Sequence, residues 1–174
     1  MVVLKLPIFK TIQKQNKHIM LQSLQSVMEY QNKYVLHRFQ QMTSLSKSEA
    51  ETIFEDTKRY LWLNAKMAEL RQSGNDVPDI YISKSMVILD EMWHAFVLNT
   101  RDYIAFCENY FGKFIHHPPE SPKYFENLKK LGEEKTDEIL LDEMIACVYD
   151  NLGEDVAVRW FDTYRKYSHL NVVH

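Results

Sequence analysis

A chain of 174 residues that is 45% hydrophobic and 13% aromatic has the material for one ordinary core and does not read as a disordered polymer. Its net charge of -3 comes from 21 basic and 24 acidic residues interleaved along the chain, which argues against duplex binding, and no run of roughly 18 apolar residues suggests a membrane span. Only 4 glycines and 5 prolines leave few turns for a sheet, so the composition predicts an all-α single domain over residues 1–174, an irregular bundle of about five or six helices.

The N-terminal apolar run is interrupted by Lys5 and closed by Pro7, so no signal peptide is expected. The first helix is predicted over about 8–41, with a break near Asn16 or Asn32. Met20, Leu24, Val27, Met28, Tyr34, Val35 and Phe39 recur there at three- and four-residue steps and form its apolar stripe. Ser46-Lys47-Ser48-Glu49 has the form of a capping box and opens a second helix that runs to about Arg71, with Gly74 as its stop. Ile53, Phe54, Tyr60, Leu61, Leu63, Met67 and Leu70 mark its core face.

A third helix is expected from Ser83 or Ser85 to about Tyr110, ended by Gly112. Its stripe reads Met86, Leu89, Trp93, Phe96, Val97, Thr100, Ile104 and Cys107. After a Pro-rich loop, Ser121-Pro122 suggests a short helix to about Leu131. Thr136 is placed to cap a fifth helix carrying Ile139, Leu140, Met144, Ile145 and Val148. Gly153 divides it from a last helix holding Val156, Trp160 and Tyr164, and the tail after Tyr167 is expected to fray.

The chemistry concentrates between Asp90 and His117. Asp90 and His94 stand four residues apart, so they share one helix face at the edge of the apolar stripe. Burial of either group is costly unless it is paired, hydrogen-bonded or metal-bound. His116 and His117 follow the Gly112 turn and precede two prolines. If that loop folds back over the helix, Asp90, His94 and one of His116 or His117 form a two-imidazole, one-carboxylate set suited to zinc or iron. The plainer reading is an Asp-His hydrogen-bonded pair on a helix edge, with the loop histidines capping a helix end. Glu91-x-x-His94 is half of a di-iron bundle motif, but the chain holds no second copy. Cys107 falls on the core stripe and reads as a buried thiol, not a nucleophile.

Several stretches together resemble a known family. They are Leu89-Asp90-Glu91-Met92-Trp93-His94, Thr100-Arg101-Asp102-Tyr103, Phe106-Cys107, Phe111-Gly112 and Phe114-Ile115-His116-His117-Pro118, with Arg38-Phe39 and the Gly153 to Tyr164 stretch. The chain resembles an uncharacterised bacterial family that is itself similar to the helical region of plant glycine-rich domain-containing proteins. That resemblance implies a helical domain and no particular activity. The plant segment reads Trp-His-x-His, whereas Phe96 fills the second His position here and no glycine-rich tract is present. An imidazole lost at that position would have to be supplied by His116 or His117.

Two function classes follow. One is a protein-interaction or small-ligand binding module whose Asp/His cluster is structural. The other is a metal-dependent hydrolytic or oxidative enzyme with zinc or iron at Asp90, His94 and His116 or His117. A protein partner is compatible with either, while nucleic acid and membrane are not expected. Cys107 and Cys147 lie far apart with no Cys-x-x-Cys pairing, which suits reduced thiols and a cytoplasmic location. The intact mass of the non-reduced protein should therefore equal that of the dithiol. A loss of two protons would show a disulfide.

Overall fold

The computed structural model describes residues 21–117 and 137–169. Among the described residues there are seven α-helices and no strand: α1 (Leu24–Met28), α2 (Lys33–Thr43), α3 (Lys47–Gln72), α4 (Val87–Val97), α5 (Thr100–Phe111), α6 (Asp137–Leu152) and α7 (Glu154–Phe161). Short 3₁₀ turns precede α4 at Lys84–Met86 and follow α7 at Thr163–Tyr167. The expected helix from Ser121 to Leu131, the Thr136 cap, the Met20 position and the tail from residue 170 onward lie outside the described residues.

Local sequence explains most boundaries. The first predicted helix breaks at Asn32, whose side-chain oxygen accepts from the Tyr34 and Val35 amides and so starts α2. Val27, Val35 and Phe39 of the expected stripe are buried, but Tyr34 is 63% exposed, because α2 begins a new phase after Asn32. Ser46 and Glu49 form the reciprocal capping box of α3. Gly74, at φ +86°, takes the left-handed conformation just past the C-terminus of α3.

The third predicted helix is two helices. The chain leaves helical geometry at Asn99 (φ -89°, ψ 57°), whose side chain donates to the Ala95 carbonyl at 2.8 Å while its amide donates to Phe96. A short polar side chain thus competes for the backbone and ends the helix. The phase changes with the break. Thr100 and Ile104, placed on the core stripe by a continuous helix, are exposed, Tyr103, Phe106 and Phe111 are buried instead, and Cys107 is buried as expected.

The 26-residue α3 is the central element, packed against α1, α2, α4 and α6. Around it the core is heavily aromatic: Phe96 packs edge-on to Phe54 and Tyr103 and against Phe106. Tyr60 joins Trp93 to Trp160, so tryptophans from α4 and α7 meet across α3.

Two buried charges cross-link this frame, and neither was visible as a pattern. Asp56 is fully buried and accepts from Arg159 (2.9 and 3.0 Å), Arg59 (2.8 Å) and the Tyr164 hydroxyl (2.6 Å). Hydrogen bonding to Asp56 holds the Arg159 guanidinium above its ordinary range. Lys58, 1% exposed, donates from Nζ to the Met28 and Tyr30 carbonyls at the end of α1, and burial pushes its ammonium down to about 8. Asp56→Ala leaves Arg159 and Tyr164 without their acceptor and leaves Arg59 with Glu55 at 3.5 Å. It should destabilise the protein by about 3 kcal/mol or more, the loss typical of breaking a buried ion pair, as measured by urea unfolding.

Candidate metal centre

Helix α4 carries Asp90 and His94 one turn apart. Strong apolar packing of Ile88, Leu89, Met92, Ala95 and Phe96 fixes the helix rotation, which leaves Asp90 and His94 half-buried at its edge. Asp90 Oδ2 stands 3.5 Å from His94 Nδ1. On the other side, Asp90 Oδ1 meets His117 Nε2 at 3.0 Å. The two imidazoles lie side by side, tilted 34° to each other with centroids 4.3 Å apart. One carboxylate thus serves two imidazoles, one from its own helix and one from 27 residues further along the chain.

The break at Asn99 makes this meeting possible. A continuous helix would carry Gly112 roughly 27 Å from His94, at 1.5 Å per residue. Instead the chain breaks at Asn99, Gly112 ends α5 in the left-handed conformation (φ +67°) as the C-cap, and the strap after it returns past Tyr103 to Trp93. The strap after Gly112 is held by the Tyr103 hydroxyl, which donates to the Ile115 carbonyl at 2.7 Å. Trp93 Nε1 in turn donates to the Tyr103 oxygen at 2.9 Å, and the Trp93 ring lies 4.2 Å from that of His117. Burial pushes the Tyr103 phenol well above its ordinary value. Burial also pushes the Cys107 thiol up, against the opposing contacts of the Ile115 backbone and Tyr103.

Asp90, His94 and His117 each offer a donor atom, and these atoms lie within 4.8 Å of one another; it is the one such set among the described residues. Each histidine faces its own oxygen of Asp90, His94 at Oδ2 and His117 at Oδ1, so the carboxylate lies between the two rings. The side chains remain 27%, 26% and 14% exposed, enough for a small molecule to reach the cluster.

His116, the fourth candidate, is not brought in. It is exposed and stands edge-on to Phe114, with centroids 4.8 Å apart. Phe96 lies in the aromatic core, so the second imidazole beside His94 is that of His117. Cys107 is a buried free thiol, as its helix phase indicates, and so is Cys147. Sequence reasoning missed Trp93 and Tyr103 as the groups that place His117. The signal that was available is Asn99-Thr100-x-Asp102, a helix-start pattern inside the predicted third helix.

An all-helical frame and a pair of histidines sharing one carboxylate define the chain at the level of class. It matches the UCP032817-like family over residues 17–152, most of its length, and belongs to that family. No curated protein and no solved structure matches it.

Trp93 is 6% exposed and touches Tyr60, Tyr103 and His117. Trp93→Ala should destabilise the protein by about 3–5 kcal/mol, as a core aromatic truncation does. Thermal or denaturant unfolding measures this, and a variant that melts with the parent would contradict the packing described.

Proposed function

We propose that the protein is a helical metal-binding domain in which Asp90, His94 and His117 hold a zinc or ferrous ion, with coordination positions left open to a small ligand. The observation that carries this reading is the convergence of the three donor atoms within 4.8 Å of one another. Two imidazoles and one carboxylate are the donor set that zinc and ferrous iron share, and three protein ligands leave room for water or a ligand oxygen. Hydrolytic or oxidative chemistry at those positions is the activity such an ion would support. The reading takes the protein as cytoplasmic, in keeping with the free thiols Cys107 and Cys147.

A second reading rests on the 3.0 Å contact of His117 with Asp90. That hydrogen bond satisfies both groups without an ion, and the cluster then serves as a structural clasp in a protein-interaction or small-ligand module.

Metal content of tag-free protein, followed by zinc and cobalt titration, separates the two. The first reading expects stoichiometric binding that is strongly weakened, though not abolished, in Asp90→Ala and His94→Ala and kept in His116→Ala. It also expects metal to raise unfolding stability by about 2.7 kcal/mol at a hundredfold excess over Kd. Failure of zinc, iron and cobalt to bind at saturation would leave the clasp, and His117→Ala would then cost about 1–3 kcal/mol by removing the 3.0 Å partner of Asp90.

A further inference from the structure

We propose that Tyr103 is the positioning residue of this centre, setting metal affinity through His117 without touching the ion; the inference rests on the metal-binding reading above. Asp90 and His94 are placed by α4 itself. His117 is not: it stands on a strap outside any helix, five residues beyond the C-cap Gly112. Its location depends on what ties the strap down.

Tyr103 ties it at two points. Its hydroxyl donates to the Ile115 carbonyl at 2.7 Å, and its ring packs edge-on against Phe114, with centroids 5.4 Å apart. Two residues of chain span at most roughly 7 Å, so an anchored Ile115 confines His117 to the neighbourhood of Asp90. The hydroxyl is itself oriented, since it accepts from Trp93 Nε1 at 2.9 Å and has one proton to give. Trp93 then meets His117 ring to ring. A path of named contacts therefore runs from α4 through Tyr103 to the strap and back to α4, with the ligand set at its closure. Tyr103 is fully buried, so its ring is a core group and its hydroxyl is the part with a separable role. Groups that orient a ligand from behind commonly change metal affinity by 10–100-fold on removal.

The test is a double-mutant cycle in zinc affinity, using Tyr103→Phe, His117→Ala and the pair, with hydrogen exchange of the strap amides in zinc-free protein. Tyr103→Phe keeps the ring and should weaken zinc binding by about 10–100-fold. In the His117→Ala background the same change should alter the residual binding by less than about twofold, because the route of its effect has been removed. Exchange across residues 113–117 should quicken in Tyr103→Phe while α3 keeps its protection. Val148→Ala, a core truncation on α6 away from the strap, should lower stability and leave zinc affinity unchanged. Equal losses in both backgrounds, or none in either, overturn the proposal. If the wild type binds none of zinc, iron and cobalt, the metal reading falls; strap exchange then decides alone whether Tyr103 places His117, unaltered exchange overturning it. Should Tyr103→Phe fail to fold, Trp93→Phe removes the donor that orients the hydroxyl and should give a smaller loss in the same direction.

Discussion

The interruption of one helix at Leu98 and Asn99 is the constraint on which the arrangement of the site depends. The hydrogen bond from the Asn99 side chain to the Ala95 carbonyl takes up a backbone acceptor at the end of α4 and lets the chain turn. Everything that follows uses that turn. Tyr103 swings into the core beneath Trp93, Asp102 reaches Asn32 at 2.7 Å, and the Tyr110 carbonyl accepts from the Gln22 amide. Helix α5 is thereby fastened to the N-terminal segment at two places and to α4 at a third. A straight helix would satisfy the same apolar count but would leave the histidines after Gly112 far from His94.

The scaffold shows how a helical protein places polar groups inside an aromatic core. Asp56 is surrounded by four donor contacts from Arg59, Arg159 and Tyr164, so its charge is buried without being isolated. These contacts tie α7 and the turn after it to α3. By contrast, Asp90, His94 and His117 sit where solvent can still reach them. The difference in exposure separates a polar cluster that holds helices together from one that is placed to meet a ligand.

Much of the fold was legible in the sequence because the signals are local. The capping box at Ser46, the stop at Gly74 and the turn at Gly112 each depend on residues a few positions apart, and each stands where the sequence puts it. The Asp90-His94 pair was legible for the same reason, since helical spacing alone brings it onto one face. The break at Asn99 was hidden because Val97, Thr100 and Ile104 continue a plausible stripe, and the aromatic residues Tyr103, Phe106 and Phe111 had to be given a phase of their own. His117 turns inward against Trp93 on a strap bonded to Tyr103, and those contacts span ten residues or more that no periodicity encodes. The burial of Asp56 was equally out of reach, because its partners Arg159 and Tyr164 lie more than a hundred residues away.

Lys58 carries a consequence for how the molecule comes apart. Helix α1 has five residues, far fewer than a helix needs to persist unaided in water. It is held at one end by the Trp62 indole, which donates to the Gln22 carbonyl, and at the other by the Lys58 ammonium on Met28 and Tyr30. Both anchors stand on α3, four residues apart, and Lys58 reaches its carbonyls only from within the core. Helix α1 therefore has no folded existence of its own, and loosening it strands a cation in apolar surroundings. Helix α1 and the central helix make up a single cooperative unit, in which the shortest α-helix of the described residues is as durable as the longest.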